Sequence, residues 1–404
     1  MAGAMMRILI VNVHFEPESF GGATIVAEET AENLAAQGHE VFVMTGIMEP
    51  RLAGGRLHRY EARGLPVIAI GRPAAHSPAE EYHQPDLAAR MREVLAVVRP
   101  DVVHFHAIQS LGVEMVKVTQ EAGIPTIVTL HDAWWFCERQ FMVRADGTWC
   151  GQTTIDASVC ATCVPDPHAH ERRQQESRAI LNRCDRVLAP SEYWAGVMGG
   201  SGVDRRIIGV NRNGVHHPAP DFRRTPYQGV IRFGYVGGDT PIKGVRQVRD
   251  ALDQLPRSDY ELHIVDAFLN LGIRTLHIRD WQYPGLIRVV PGYTRAGMDS
   301  FFDGIDVLLF PSQWRESYGL TVREAVLRGV WVIATDGGGT ADDLRDGVNA
   351  TLIGMDDTAG LRNAMRDIMD RPADFRDRAR PVRTIPTFRD QAVELADIYD
   401  SLLT

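Results

Sequence analysis

Short apolar runs alternate with longer amphipathic stretches along most of the chain. In the first half, apolar runs bounded by turn residues predict strands at 7–13, 39–46, 64–71, 100–107, 125–132 and 186–191. Apolar residues at helical spacing lie between several of these runs, for example at 23–37, 86–98 and 111–122. Strands that alternate with helices are typical of a parallel sheet with crossover helices, so this half predicts one doubly wound α/β domain.

A stretch rich in proline, histidine and arginine, "NGVHHPAPDFRRTPYQG" at 213–229, interrupts the alternation and is the best candidate for a linker. Apolar runs then predict a second set of strands at 231–238, 260–266, 286–293, 306–312, 330–335 and 349–354. The sequence therefore predicts one α/β domain at 1–215, a second at 229–385, and a final helix at 386–404. Ligands bind beyond the carboxyl ends of the strands in such sheets, so we expect a central cleft between the domains to hold the site.

Length and charge narrow the class of protein. A chain of 404 residues is long for a single core, which agrees with two domains. The formal net charge of -9 argues against nucleic acid as a partner, although a local basic patch would still allow peripheral membrane contact. No apolar run approaches the ~20 residues that span a bilayer, and the start, "MAGAMMRILIVNV", resembles neither a signal peptide nor an anchor. We expect a cytoplasmic protein, and the sequence leaves the oligomeric state open.

Glycines follow the first strand of each predicted domain. Gly21 and Gly22 precede a helix that starts near residue 24, so bare amides and the positive end of a helix dipole would face an anion or a sugar. In "GYVGGDTPIKGV", Lys243 stands beside the turn that contains Gly238, where its ammonium group suits a diphosphate. The alternatives are a tight turn for the glycines and a solvated surface position for the lysine.

Two glutamates, Glu316 and Glu324, flank the start of a predicted helix in "PSQWRESYGLTVREA". On one continuous helix they would lie roughly 80° apart, whereas a helix that starts near Gly319 leaves Glu316 in the preceding loop and lets both carboxylates reach one ligand. The amides at the helix start suit phosphate, and Glu324 suits ribose hydroxyls. Alternatively, Glu316 caps the helix dipole and Glu324 is ordinary helix surface.

These motifs together resemble the retaining glycosyltransferases of the GT-B architecture, in particular the large family-four group that uses nucleotide-activated sugars. The matching pieces are "FGGA", "TLHD", "NGV", the Gly-Gly and Lys-Gly of "GGDTPIKG", "PGY" and "PSQWRESYGLTVREAVLRGVWVIATDGGG", in the expected order over nearly the whole chain. The resemblance implies two Rossmann-like domains that face a cleft, the second binding the nucleotide-sugar. It also implies that the final helix, with apolar residues at Ala392, Leu395, Ala396 and Tyr399, crosses back to the first domain.

The resemblance also implies a role for each candidate residue. Glu316 would lie by the donor sugar, Glu324 would hold the ribose, and Lys243 would add charge at the diphosphate. Amides of the loop, at Ser317, Tyr318, Gly319 and Leu320, would bind the diphosphate. His131 matches a histidine that contacts the donor sugar from the first domain, where a satisfied histidine at a strand end is the alternative. Gly21 and Gly22 would lie against the donor phosphate and the acceptor, and no catalytic metal would be needed.

The chain departs from the family pattern at two places. Many relatives carry an arginine after the glycine that ends the first strand of the second domain, whereas this chain has Gly237 followed by Gly238. Where relatives often have Val-Asp after Asn-Gly, this chain has Val215 and His216. The first difference removes one phosphate-binding charge unless Arg212 or another arginine replaces it.

Four of the five cysteines fall in the segment 137–163, at Cys137, Cys150, Cys160 and Cys163. A structural zinc bound by the four thiolates would fold a short segment that has no core of its own. Reduced thiols, disulfides and an iron–sulfur cluster are the alternatives. The aromatic residues at 134–136, just before this segment, either line the acceptor site or pack around the cysteines.

The leading hypothesis is a retaining glycosyltransferase that moves a sugar from a nucleoside-diphosphate-sugar to a glycan, a lipid-linked acceptor or a small molecule. A nucleotide-sugar epimerase or a phosphorylase on the same fold would share the phosphate site without the same acceptor. A catalytically silent binding protein with this fold is the third hypothesis, since the missing arginine would weaken donor binding.

Overall fold

A computed structural model describes residues 4–19, 21–49, 52, 54–72, 77–278 and 281–404. The chain forms two compact units. The first comprises Met1–Phe141, Gly151–Gly214 and Pro386–Thr404, and the second comprises Met142–Cys150 and Val215–Ile385. Phe20, which begins the "FGGA" motif, lies outside the described residues.

The first unit contains an eight-stranded sheet in its described part. Its strands are β1 (Arg7–Asn12), β2 (Glu40–Ile47), β3 (Leu57–Ala62), β4 (Leu65–Gly71), β5 (Val102–Phe105), β6 (Thr126–Thr129), β7 (Arg186–Ala189) and β8 (Ile208–Val210). They lie in the order β3-β4-β2-β1-β5-β6-β7-β8, and neighbouring strands are parallel except for the antiparallel pair β3 and β4. The six predicted strands are all present, while β3 and β8 are additions.

Helices connect these strands. They are α1 (Gly22–Ala36), α2 (Pro78–Tyr82), α3 (Pro85–Val98), α4 (Glu114–Glu121), α5 (Ala157–Cys160), α6 (Pro167–Leu181) and α7 (Glu192–Gly200). Every residue of β5 and β6 is buried, as expected for central strands of a parallel sheet that helices cover on both faces.

The second unit contains a six-stranded sheet in its described part, with all neighbouring strands parallel. Its strands are β9 (Ile231–Tyr235), β10 (Tyr260–Asp266), β11 (Leu286–Pro291), β12 (Val307–Phe310), β13 (Trp331–Thr335) and β14 (Ala350–Ile353), in the order β11-β10-β9-β12-β13-β14. Its helices are α8 (Val245–Asp253), α9 (Met298–Asp303), α10 (Leu320–Leu327), α11 (Thr358–Asp370) and α12 (Pro372–Phe375). Because β9 and β12 are parallel neighbours, the loops that follow them emerge at the same edge of the sheet.

The last helix, α13 (Phe388–Leu403), belongs to the first unit, as the resemblance implied. Thr387 caps its start by accepting the N–H of Asp390, whose carboxylate accepts the N–H of Thr387 in return. Ala392, Leu395 and Tyr399 are buried in the same apolar core as β1 and α1. The fold is therefore the expected pair of doubly wound α/β units with a returning helix.

The cysteine-rich segment does not stay within one unit. Its residues Met142–Cys150 group with the second unit, whereas the sequence placed all of 137–163 in the first domain. Val143 and Trp149 pair in a short antiparallel bridge, and the guanidinium of Arg315 in the second unit lies 4.7 Å from the centre of the Trp149 ring. This cation–π contact is one of the contacts between the segment Met142–Cys150 and the rest of the second unit.

None of the helices in the described residues is both long and apolar enough to cross a membrane.

Candidate functional site

Lys243 and Glu316 meet at the edge of the sheet in the second unit. Lys243 ends a short 3-10 turn after β9, and Glu316 lies in the loop after β12. The ammonium group of Lys243 is 2.7 Å from Oε1 of Glu316, which also accepts a hydrogen bond of 2.9 Å from the hydroxyl of Ser312. Glu316 is only 6 % exposed, whereas the side chain of Lys243 is 33 % exposed. The pair thus places a reachable cation beside a buried carboxylate.

The two loops approach so closely that glycine is required between them. A Cβ atom at Gly244, directly after Lys243, would lie 2.0 Å from the carbonyl oxygen of Pro311. Gly244 also has a φ of 86°, which residues with side chains rarely adopt. The Lys-Gly pair of the motif therefore brings the lysine against the loop that carries Glu316.

The helix α10 begins at Leu320, and Gly319 precedes it with a φ of 83° and no side-chain cap. The first amides of a helix have no acceptor within the helix, and the positive end of its dipole lies there. Ser317 and Tyr318 complete the loop between Glu316 and this helix start. These amides have the position that the sequence analysis assigned to the diphosphate, and their binding of an anion stays a prediction.

Glu316 lies in the loop and Glu324 lies on α10. Glu324 is buried, and its Oε2 accepts a hydrogen bond of 2.9 Å from the hydroxyl of Tyr293. Burial raises the pKa of Glu324 above 4.5, against the opposing effects of Tyr293 and the charge of Arg328. Tyr293 belongs to the "PGY" motif, but its contact with Glu324 was not predicted from the sequence.

Gly237 and Gly238, where the family resemblance led us to expect a glycine and an arginine, lie in the loop between β9 and Lys243. A Cβ at Gly237 would lie 2.3 Å from the hydroxyl of Tyr235, so the tyrosine occupies that space. At Gly238, with φ of 54°, a Cβ would meet only the carbonyl oxygen of Val265, at 3.7 Å. Arg212, the suggested substitute for the missing arginine, belongs to the first unit.

His131 follows β6 in the first unit and is half-buried, and it contacts a pair of buried histidines, His106 and His104. Its Nε2 is 2.9 Å from Nδ1 of His106, and the two rings stack. The ring of His106 lies 4.3 Å from that of His104, which contacts the hydroxyls of Thr129 at 2.7 Å and Tyr399 at 2.6 Å. Burial lowers the pKa of His131 to about 4, so its imidazole is neutral near pH 7.

The Gly21 and Gly22 pair lies where α1 starts. Gly21, with a φ of 87°, precedes the helix without a side-chain cap, and a Cβ built on it would meet no atom within 4 Å. Gly21 and Gly22 are both exposed. Their predicted contact with the donor phosphate and acceptor stays a prediction.

The cysteines are not assembled as the zinc prediction required. Among the described residues, the structure contains no group of three or more histidine, cysteine, aspartate or glutamate side chains that could hold a metal ion. Cys160 instead accepts hydrogen bonds from the amides of Gln152 at 3.6 Å and Gln174 at 3.7 Å. Cys150 groups with the second unit, and Cys137 and Cys163 with the first. The arrangement thus gives no support to a tetrathiolate site.

The aromatic residues at 134–136 are buried in the first unit. The guanidinium of Arg173 lies 5.2 Å from the Trp134 ring, and the hydroxyl of Ser177 donates to the carbonyl of Trp135. The amide of Gln174 donates to the carbonyl of Phe136. These contacts support the packing interpretation over an acceptor wall.

Two protein families match most of the chain. The sequence model of Glycosyltransferase Family 4 matches residues 20–217, and that of Glycosyl transferases group 1 matches residues 221–382. A GDP-mannose-dependent alpha-mannosyltransferase of Mycolicibacterium smegmatis is 27% identical over 348 residues, which cover 83% of this chain and 81% of that protein.

Solved structures agree on the fold. Sucrose-phosphate synthase from Thermosynechococcus elongatus superimposes with a TM-score of 0.70 at 18% identity, over 98% of each chain. HepE from Anabaena, solved in complex with UDP and glucose, has a TM-score of 0.67 at 16% identity, over 98% of this chain and 100% of that one. The protein is therefore a glycosyltransferase with the two-domain GT-B fold. The matching family models indicate the activity, and the two sheets and the similar solved structures indicate the fold. Within that class, the chain belongs to glycosyltransferase family four, with a second domain of the group 1 type.

Proposed function

We propose that this protein is a retaining glycosyltransferase that takes its sugar from a nucleoside-diphosphate-sugar and needs no catalytic metal. The observation that carries the proposal is the pairing of Lys243 with Glu316 beside the uncapped start of α10. The relative from Mycolicibacterium smegmatis, which is named as GDP-mannose-dependent, supports a nucleotide-sugar donor.

Each part of the site suits one part of such a donor. Lys243 and the amides at Ser317–Leu320 would bind the diphosphate, as a point charge and as neutral donors respectively. Glu324, buried and held by Tyr293, would accept hydrogen bonds from ribose hydroxyls. Glu316 would lie by the sugar, where it holds Lys243 in position before the donor arrives.

Retention follows if the acceptor attacks from the face that the diphosphate leaves. The bond between the anomeric carbon and the phosphate oxygen breaks while a bond to the acceptor oxygen forms, and the departing phosphate accepts the acceptor's proton. Negative charge therefore builds up on the diphosphate, where Lys243 and the loop amides stabilise it. A bound metal supplies the same stabilisation in other transferases.

The acceptor stays defined only by class. We expect a glycan, a lipid-linked saccharide or a small molecule with a free hydroxyl. His131, Gly21 and Gly22 are the residues of the first unit that the family resemblance assigns to sugar or acceptor. Because the imidazole of His131 is neutral near pH 7, its contact would be a hydrogen bond rather than an ion pair.

The test is calorimetric titration of the protein with UDP, GDP, ADP and dTDP in the presence of EDTA. We expect one nucleotide to bind, and Lys243→Met to weaken it by roughly 10- to 100-fold, the worth of a charge-assisted hydrogen bond. Lys117→Met is the matched control, because Lys117 is 31 % exposed and is also paired with a glutamate, Glu176, but lies in the first unit. Absence of binding to the unmodified protein would instead favour the catalytically silent alternative.

Product analysis separates transfer from the other reactions. With the matching nucleotide-sugar, free nucleoside diphosphate should appear only when an acceptor is added. An isomerised donor would identify an epimerase, and turnover that depends on inorganic phosphate would identify a phosphorylase.

A further inference from the structure

Arg323 lies on α10, one residue before Glu324, and its side chain is 0 % exposed. A buried arginine is costly unless its charge is paired and its N–H groups are bonded. Its burial therefore requires a structural reason.

All parts of the guanidinium group have partners. Nε and Nη2 both face Oδ2 of Asp343. Nη1 donates to the carbonyl oxygen of Tyr318 and, at 3.3 Å, to that of Gly319. Nη2 also donates to the carbonyl of Gly339 at 2.8 Å. The five contacts match the five N–H donors of an arginine.

These contacts join two loops. Tyr318 and Gly319 form the end of the loop that the proposed function assigns to the diphosphate, and Gly339 belongs to the glycine-rich turn after β13. The same turn packs against the first loop a second time, because the N–H of Gly339 donates to the carbonyl of Glu316. The guanidinium also lies 3.4 Å from the centre of the Tyr318 ring. The side chain of Arg323 thus holds the loop that contains Tyr318 and Gly319 against the glycine-rich turn.

Fixing the carbonyls also fixes the amides. In a planar trans peptide the C=O of one residue and the N–H of the next point in opposite directions. With the oxygens of Tyr318 and Gly319 held on Arg323, the N–H groups of Gly319 and Leu320 point away from the guanidinium. Preorganised amides bind an anion without the cost of ordering the loop.

We propose that Arg323 is a positioning residue that aims the amides of Gly319 and Leu320 at the diphosphate of the donor. The inference rests on the proposed function of this loop. Because Arg323 is fully buried, it acts through the backbone and does not touch the ligand. Lysine cannot replace it, since one ammonium group has three donors and cannot reach two loops and a carboxylate at once.

The experiment compares two variants. Arg323→Lys keeps a cation opposite Asp343 but releases the carbonyls of Tyr318 and Gly319. Asp343→Asn weakens the ion pair but leaves those carbonyls on the arginine, so it is the control for a merely structural effect. Each protein is titrated with the nucleoside diphosphate that binds the unmodified chain and with the corresponding nucleoside, and its fold is checked by circular dichroism.

Arg323→Lys should weaken diphosphate binding roughly 10-fold or more and change nucleoside binding by less than about 2-fold. Asp343→Asn should lower the melting temperature while the ratio of the two affinities stays that of the unmodified protein. If Arg323→Lys does not fold, Arg323→Met combined with Asp343→Leu removes both buried charges together, and it should show the same selective loss.

An unchanged affinity ratio in the folded Arg323 variants would overturn the inference and leave the proposed function standing. Failure of the unmodified protein to bind any of the four nucleoside diphosphates would overturn both. An equal loss of diphosphate and nucleoside affinity would also overturn it, because it would show general damage to the site.

Discussion

Lowering the pH from 7 to 5 should destabilise the first unit through a row of three histidines. His104, His106 and His131 form one chain of contacts behind the ends of β5 and β6. Burial lowers the pKa of His104 to about 3 and that of His131 to about 4, and it lowers that of His106 well below 6.5. His104 and His131 are therefore neutral in the folded unit at pH 5.

In the unfolded chain the same histidines take up protons near pH 6.5. Their contribution to stability is complete above that pH and is lost as the pH falls toward the pKa values of the folded state. For His104 and His131, the free energy lost at pH 5 is about 2 kcal/mol each, and the lowered pKa of His106 acts in the same direction. Asp132 acts in the opposite direction, because burial raises its pKa to about 6, and it offsets about 1 kcal/mol. His104, His131 and Asp132 together therefore lose about 3 kcal/mol, which is a large fraction of the total stability of many domains.

Urea unfolding at pH 7, 6 and 5 would measure this loss. Hydrogen exchange followed by mass spectrometry, corrected for the intrinsic exchange rate at each pH, resolves peptides from the two units. His106→Gln removes one of the three titrating groups, so its loss of stability between pH 7 and 5 should be smaller than that of the unmodified protein. His168→Gln, at an exposed histidine of the same unit, is the matched control.

Two results would refute the reasoning. One is a peptide of β5 that loses no more stability on acidification than the strands of the second unit. The other is the same pH dependence in His106→Gln as in the unmodified protein, which would mean that the buried histidines already carry protons in the folded state.

Three further changes test the second unit. Glu316→Gln should lower turnover roughly 100-fold or more but should not weaken nucleoside diphosphate binding, since it frees Lys243 from its ion pair; weaker binding by calorimetry would contradict this. Tyr293→Phe removes the hydrogen bond to Glu324 and should weaken nucleotide binding about 5-fold, with a larger effect as the pH is lowered because the pKa of Glu324 is already raised; dissociation constants measured across the pH range check it. Gly238→Arg introduces the charge that the family resemblance led us to expect and should tighten diphosphate binding about 10-fold. The positive φ at this position should cost about 1 kcal/mol of folding stability. An unchanged affinity would show that the missing arginine is not needed here.

Apolar runs that alternate with helical patterns were sufficient to predict twelve strands. Strands of a parallel sheet that are buried on both faces have nearly continuous apolar sequences, which are easy to detect. The strand β3, "LHRYEA", was missed since its side chains are largely exposed and only alternate weakly. It pairs with β4 through a turn at Arg63 and Gly64, both with positive φ, rather than through one of the Asn-Gly or Asp-Gly pairs that signal a hairpin. Its detection needed the pairing partner, which no local pattern contains.

The residues of the candidate site also differ in whether the sequence was sufficient to predict them. The proximity of Lys243 and Glu316 could be predicted, because the loops that follow neighbouring parallel strands meet at one edge of the sheet, while their roles stay a prediction. Arg323 and Tyr293 were not predictable, because their contacts join distant parts of the chain. Arg323 binds Gly339 and Asp343, 16 and 20 positions away, and Tyr293 binds a carboxylate 31 positions away. Cysteine spacing misled for the opposite reason, since it suggested ligands that the fold does not bring together as a metal-binding group within the described residues.

In the second unit, different residues determine the shape of the candidate site and its charge. Shape depends on backbone contacts between loops: a Cβ at Gly338 would lie 2.7 Å from the carbonyl oxygen of Glu316, and one at Gly244 would collide with Pro311. Substitution at either glycine would move the loop that carries the glutamate. Charge depends on side chains such as Lys243, which reach the site from a fixed backbone. The family's arginine can therefore be absent at Gly238 without altering the loops, and the difference should appear in donor affinity rather than in the fold.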